Sequence, residues 1–477
     1  MKRLAAIMLT SLAILLATAL VVGAQVEVRG TVATGTNTWT ADNFAGFYYD
    51  IDDNIKTEEL TATVTGDNKL SGDVVDGTRG VVYRTTAQQD DFDFEDWGSY
   101  LVIGFLAEKY FAGYVEGADT ENDILFEEST DENVLADEQL LKILVDNDDE
   151  ITVTSGTPLR LEEGYELAIQ SIDIDGNKVY LELTKNGDVV DSKVISPSAD
   201  QATMEDKTYF YKTDVGDSED VVLVAAHFKN AFRGADTNLA TVDGIWQLSD
   251  TPVDVSENTE YDKMTIQSVN ADSVEMDNED NDITLSKNKD ISLMPGVNFK
   301  TADADELRYY IYKEVTEPGT YEIRGNVATG TNTWTADNFA GFYYDLDDNI
   351  KTEELTATVT GDNKLSGDVV DGTRGVVYTT TAQQDDFDFE DWGSYLVIGF
   401  LAEKYFAGYV EGNDTTDDIL FEESTDENVL ADEQLLKILV DNDDEITVTS
   451  GTPLRLEEGY ELAIQSIDID GNKVYLE

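Results

Sequence analysis

The chain has no cysteine, which excludes disulfide cross-links, thiolate metal centres and cysteine nucleophiles. Histidine is almost absent as well. A Ser-His-Asp triad would rest on His227 alone, and that residue lies in the apolar run Val221-Val222-Leu223-Val224-Ala225-Ala226-His227-Phe228, where a packed or edge histidine is expected. Basic residues are few, 31 against 100 acidic ones, and the formal charge of −69 is spread along the chain. Nucleic acid and anionic membrane surfaces need clustered Lys and Arg, so neither is an expected partner. Beyond residue 22 no apolar run is long enough to span a bilayer, and no sustained amphipathic helix pattern occurs.

An apolar share of 41% is enough for real cores, so this is not a disordered acidic tail. Lys2 and Arg3, an apolar run from Leu4 to Val22 and the small residues of Val22-Gly23-Ala24 read as a signal peptide over residues 1–24. The mature chain would start near Gln25; the competing reading is an uncleaved anchor. An acidic chain of this kind is expected to depend on salt or divalent ions, because screening shortens its self-repulsion to a Debye length of about 8 Å at physiological ionic strength.

The dominant feature is a repeat. Thr38-Trp39-Thr40-Ala41-Asp42-Asn43-Phe44-Ala45-Gly46-Phe47-Tyr48-Tyr49-Asp50 returns unchanged at Thr333 to Asp345. The offset of 295 residues holds without insertion from Glu27/Glu322 to Glu182/Glu477. Along it only Val28/Ile323, Thr31/Asn326, Ile51/Leu346, Arg84/Thr379, Ala118/Asn413, Glu121/Thr416 and Asn122/Asp417 differ. A period that long is not a solenoid repeat.

Within the unit, strand-type runs such as Phe44 to Tyr49, Leu60 to Val64, Val81 to Tyr83, Tyr100 to Phe105 and Tyr110 to Tyr114 follow at short intervals with polar turns between them. Asn133 to Val145 carries leucines near helical spacing, although Leu140 to Val145 reads equally as a buried strand. Gly176-Asn177 and Asn186-Gly187 mark two-residue turns in a three-strand meander from Tyr165 to Ile195. Tyr165, Leu167 and Ile169 share one parity and Ile172 the other, which predicts a bulge near Gln170-Ser171. The pattern predicts an all-β fold of tandem repeat units, each of two antiparallel β-sandwiches, with Gly156-Thr157-Pro158 as the seam. The expected domains are 25–156 and 157–320 in the first repeat, then 321–451 and a truncated 452–477 in the second.

Asp50, Asp52 and Asn54, with Asp345, Asp347 and Asn349 in the second copy, place oxygens at positions 1, 3 and 5 of a calcium-type loop. The rest of that pattern fails, since Ile55 stands where Gly should turn the chain and Thr61 where a bidentate Glu should close the site. These positions read either as an ion site or as a solvated turn, with calcium or magnesium held loosely and no other cofactor. Glu95 and Asp96 illustrate carboxylate pairs of glycosidase type, which an acidic chain supplies by number alone. Asn413-Asp414-Thr415 is the single glycosylation sequon, created by the Ala118/Asn413 difference.

The Trp-Thr-Ala-Asp-Asn-Phe-Ala-Gly-Phe-Tyr-Tyr-Asp opening, the Trp97-Gly98-Ser99-Tyr100 to Tyr114 block, Leu161 to Leu183, Gly244-Ile245-Trp246-Gln247-Leu248 and the Arg308-Tyr309-Tyr310 to Gly325 closure together resemble the S-layer duplication domain of methanosarcinal archaea. The resemblance covers essentially the whole mature chain. It implies tandem β-sandwich units that associate with one another into a glycosylated porous lattice on the cell surface, with a C-terminal stalk and membrane anchor. The second copy stops inside a hairpin, and the expectation is a fragment of a longer reading frame whose anchor lies in the missing part. The alternatives are a secreted adhesin or carbohydrate-binding protein and, behind it, an exported hydrolase.

Overall fold

The computed structural model describes residues 26–477 apart from 67–69, 71–73, 76–79, 118–122, 174–177, 198, 200, 234–237, 280, 317–320, 322, 362–368, 371–374, 413–418, 426, 450 and 469–472. The leader over 1–24, Asn413 and the Gly176-Asn177 turn therefore lie outside the described residues. The chain forms two compact units, one ending at Thr320 and one running from Tyr321 to Glu477. Both are predominantly antiparallel β, in several sheets. Among the described residues no helix is long and apolar enough to cross a membrane.

In the first unit one sheet runs β1 (Val26–Arg29), β25 (Tyr309–Val315), β24 (Val297–Thr301) and β23 (Asp290–Met294). A six-stranded sheet runs β19 (Glu260–Tyr261), β20 (Met264–Asn270), β21 (Ser273–Asp277), β5 (Val81–Thr86), β3 (Glu58–Ala62) and β2 (Asn37–Thr40). Aromatic side chains of the two meet: Trp39 of β2 is fully buried, with ring centroids 6.0 Å from Phe299 of β24 and 5.7 Å from Tyr309 of β25. Beside them lies the short pair β4 (Val74–Val75) and β22 (Ile283–Thr284).

The largest sheet has nine strands. Its path is β15 (Thr208–Val215), β16 (Ser218–Arg233), β17 (Asn238–Leu248), β9 (Gln139–Asn147), β8 (Glu108–Tyr114), β7 (Ser99–Phe105) and β6 (Gln88–Asp91), with β10 (Ile151–Thr154) on β17 and β18 (Val253–Asp254) on β9. A four-stranded sheet, β11 (Leu159–Arg160), β12 (Tyr165–Asp173), β13 (Lys178–Lys185) and β14 (Asp188–Ile195), buries Leu167, Ile169, Leu181 and Leu183 against Tyr209, Phe228, Val242 and Ile245 of the large sheet. A second core gathers Trp97, Tyr100, Phe111 and Trp246 with the run from Val221 to Ala225.

The meander forms as the parity argument requires. The β12–β13 register slips between Ile169 and Ser171, which places the bulge at Gln170 and turns Ile172 to the same core as Tyr165, Leu167 and Ile169 despite its parity. Asn186 and Gly187 both have positive φ, 52° and 92°, the backbone of a two-residue turn whose twist matches the flanking strands. Two expectations are corrected. The leucines of 133–145 do not make a helix: residues 139–147 are β9, paired with β17 and with β8, and its consecutive Leu140 and Leu141 are both buried because both faces of the strand are covered there. The boundary at Gly156 does not separate sheets, because the nine-stranded sheet takes β6 to β10 from one side of it and β15 to β18 from the other. Gly156-Thr157-Pro158 is only the turn from β10 to β11, closed by Thr157 N–H donating to Thr154 O.

The second unit repeats the opening strands: β26 (Asn332–Thr335), β27 (Glu353–Ala357) and β30 (Val376–Thr380) form one sheet, β28 (Val359–Thr360) and β29 (Val369–Val370) a pair, and β31 (Gln383–Asp386), β32 (Ser394–Phe400), β33 (Glu403–Tyr409) and β34 (Leu436–Lys437) another sheet. Short pairs follow, β35 (Leu454–Arg455) with β36 (Glu461–Leu462), and β37 (Ile464–Asp468) with β38 (Lys473–Leu476). Trp392, Tyr395, Phe406, Leu436 and Leu456 line an apolar groove of about 1060 Å³. In the first unit the counterparts of the first three, Trp97, Tyr100 and Phe111, are buried beneath Trp246.

Candidate functional site

The repeated motif builds a corner that carries most of the acidic groups singled out in the sequence. Trp39 donates from Nε1 to Thr31 O at 2.7 Å, while Asn43 accepts from Thr40 N at 2.8 Å and donates to Thr38 O at 3.1 Å, which folds the chain back on β2. Phe44 and Phe47 then meet edge to face at 4.8 Å. Gly46 is required between them, since a Cβ there would lie 2.2 Å from Phe44 Cζ.

The corner is fastened to the sheet by a residue that the motif search missed. Glu58 is buried; its Oε2 accepts from Tyr48 N at 2.9 Å, and its Oε1 from Ala107 N at 2.8 Å and the Tyr83 hydroxyl at 2.9 Å. Burial pushes its carboxyl up to about 7 against these donors. Glu353 in the second unit accepts from Tyr343 N, Ala402 N and the Tyr378 hydroxyl in the same way. One sequence signal pointed to it: in Glu58-Glu59-Leu60-Thr61-Ala62, Glu58 is in phase with the buried Leu60 and Ala62.

The proposed ion-loop residues follow the corner directly. Asp50 and Ile55 close a tight turn by exchanging backbone hydrogen bonds at 3.0 Å. Asp50 Oδ1 accepts from Asp52 N at 3.0 Å and Asp53 N at 3.4 Å, and Asn54 Oδ1 accepts from the Tyr49 hydroxyl at 3.4 Å. Asp345, Asp347 and Asn349 take the same places in the second unit. Asp50 and Asn54 thus use oxygens to hold the turn, and Thr61 is paired with Thr38 in the β2–β3 ladder, away from any closing position. Among the described residues no group of three or more His, Asp or Glu side chains is arranged to hold a metal ion.

Around the turn the carboxylates crowd onto one cation. Lys109 Nζ donates to Asp90 at 3.0 Å; the Tyr100 hydroxyl donates to Asp90 at 3.1 Å and to Asp146 at 3.3 Å. Burial and the charge of Asp93 raise the Asp146 carboxyl to about 7. Desolvation with repulsion from Asp148, Asp90 and Asp149 raises Asp93, and desolvation with repulsion from Asp90, Asp50 and Asp52 raises Asp53. The second unit repeats the arrangement, with Lys404 and Tyr395 on Asp385 and Tyr395 reaching Asp441. Carboxyls held above their ordinary range by desolvation and by one another attract protons or counter-ions without a fixed coordination geometry.

Catalytic readings find no such support. His227 is buried, stacked on Phe94 at 4.5 Å, with Nδ1 2.5 Å from Asp243, and burial lowers its pKa. Among the described residues its Nε2 meets no hydrogen-bond partner, so none of them takes the position of a nucleophile in a triad. Glu95 and Asp96 are exposed on a single 3-10 turn and do not face each other across a cleft.

Comparison with known proteins agrees with the repeat. The S-layer protein family model matches residues 29–303 and again 324–477. The chain is 36% identical to the Major S-layer protein of Methanosarcina barkeri over 100% of its own length and 67% of that protein. It is 36% identical to the Major S-layer protein of Methanosarcina mazei and 34% identical to that of Methanosarcina acetivorans, in both cases over its whole length and 68% of theirs. With two family matches in tandem and relatives of this identity along its whole length, the chain belongs to the S-layer protein family.

Proposed function

We propose that this protein is a structural tile of an archaeal surface layer, exported and assembled by self-association into a porous sheet outside the cell. The observation that carries this reading is the double family match, together with similarity along the whole of this chain to Major S-layer proteins. The work of such a tile is steric and electrostatic rather than catalytic. Gaps between tiles pass small solutes, while walls lined by carboxylates repel large polyanions and collect cations. The turns at Asp50, Asp52 and Asn54 and at Asp345, Asp347 and Asn349 hold divalent ions loosely, as part of the crowded acidic surface. Asn413 carries a glycan in the second copy alone.

Each complete unit is proposed as two β-sandwiches whose division is discontinuous in sequence. The facing sheets joined by Trp39, Phe299 and Tyr309 support one sandwich, built from 26–86 and 260–315. The packing of β12 and β13 on β15 to β17 supports the other, inserted between those two segments. Electron microscopy of the full chain with and without millimolar calcium or magnesium tests the tile. Ordered sheets that disperse on chelation are expected; single particles under every ionic condition would refute it.

A further inference from the structure

The first unit has few large apolar side chains open to solvent. Among its described residues they are Ile51, Ile151, Tyr180, Val189, Val190 and Val194, and four of these six lie on the β13–β14 hairpin. β14 is also a sheet edge: it pairs with β13 and, among the described residues, with no other strand. The hairpin is electrically balanced within a chain of charge −69, since Lys178, Lys185 and Lys193 match Glu182, Asp188 and Asp191. An open, apolar edge on a hairpin without net charge is where two copies of an acidic protein can approach with least repulsion.

The occupant is indicated by the strand itself. From Ser192 outward the sequence reads Lys193 and Val194 in one direction and Asp191 and Val190 in the other. Two copies of β14 laid antiparallel about a two-fold axis through Ser192 would set Asp191 of each opposite Lys193 of the other, and Val190 opposite Val194. Residues directly opposite in an antiparallel pair share a face, so both sets are cross-strand contacts. Moving the axis to Asp191 or to Lys193 places like charges opposite, so charge selects one register. Asp191 and Lys193 are already held in place, Asp191 accepting from the Tyr209 hydroxyl at 2.8 Å and the Lys193 ammonium lying 3.1 Å from the Phe210 ring centroid. Val190 is the extra residue of a bulge in β14 opposite Leu183 and Thr184, so the contact of the exposed Val190 and Val194 is looser than the Asp191–Lys193 pair, which lies in the regular part of the strand.

We propose that β14 is a self-complementary docking edge through which two copies of this chain join their sheets, one of the contacts of the lattice. This rests on the tile reading and names one of its interfaces. A two-fold contact of this kind closes in pairs, so the sheet needs other contacts to propagate.

Because the chain lacks cysteine, Ser192→Cys introduces the single thiol of the molecule. Opposed residues of an antiparallel pair have Cα atoms about 4.5 to 5.5 Å apart, within the range that a disulfide spans. In the full chain under mild oxidant, S192C is expected to form a covalent dimer at least tenfold faster than I51C, whose thiol would also be exposed. Adding Asp191→Lys to S192C should abolish that advantage, and combining it with Lys193→Asp should restore it; no rescue by the double charge exchange would overturn the register. Microscopy of the same samples separates this contact from the tile reading. Sheets without preferential S192C dimers would overturn the β14 contact and leave the tile intact, whereas dimers without sheets would support the contact and count against the tile. Neither dimers nor sheets would overturn both.

Discussion

Glu58 offers the sharpest test of how the repeated corner is held. Both of its carboxylate oxygens accept hydrogen bonds, one from Tyr48 N and the other from Ala107 N and the Tyr83 hydroxyl. Glu58→Gln keeps the shape but has one acceptor oxygen only, so its NH₂ must face one of the two backbone N–H groups and leave it unpaired. An orphaned donor at such a site costs about 1 to 3 kcal/mol, which raises the population of the opened corner roughly five- to 150-fold. Hydrogen exchange reads this directly. The segment from Phe105 to Asn122 contains the Ala107 amide, and it differs from its second-copy counterpart at Ala118, Glu121 and Asn122, so the two report separately by mass. Exchange of the first-copy segment should accelerate within the range given, while the second copy, still held by Glu353, should not change. Glu59→Gln, at the exposed neighbouring position, serves as the control. If E58Q and E59Q exchange alike, Glu58 does not fasten the corner and the geometric argument fails.

The raised carboxyls of Glu58 and Asp146, both at about 7, predict a pH dependence. Their folded pKa lies above the unfolded one, so the stability they contribute is fully present below about pH 4 and is lost as pH rises through 7. For the buried Glu58 this amounts to about 3 kcal/mol, and urea midpoints measured from pH 5 to 8 should fall, with a flatter slope in E58Q/D146N. Trp39, Trp97 and Trp246 are buried, Trp334 is half-buried and Trp392 is 42% exposed, so Trp392→Phe should remove the largest single share of the tryptophan emission that acrylamide quenches. An unchanged quenching curve would show that the groove around Trp392 is closed. Trp246→Ala should destabilise the first unit by about 3 to 5 kcal/mol, because Trp246 packs on Phe92 at 4.8 Å and donates to the Tyr114 hydroxyl at 3.0 Å, a bond that denaturant unfolding of the variant would register as lost.

What the sequence made legible here follows the range over which each interaction acts. The bulge at Gln170 and the turn at Asn186-Gly187 were readable because strand parity and the positive φ of a two-residue turn are decided within a few neighbouring residues. The family was readable because the Trp-rich blocks are long and recur in order. The Gly156 boundary failed for the opposite reason: β9 reaches its partner β17 about a hundred residues away, and nothing near Gly156 records that the chain later returns to the same sheet. Glu58 shows an intermediate case. Its phase with Leu60 and Ala62 announces an inward-facing acid, but its partners at Tyr48, Tyr83 and Ala107 come from three separate stretches, so only the fold reveals that a charged side chain is the fastening point. The acidic surface has the same character. One hundred carboxyl groups say that repulsion must be managed, whereas the convergence of Asp90, Asp93 and Asp146 on Lys109 says where it is concentrated. That convergence recurs around Lys404, so each copy brings its own acidic cluster, and a sheet built from such tiles is favoured by cations that screen those charges and by contacts through segments as balanced in charge as the β13–β14 hairpin.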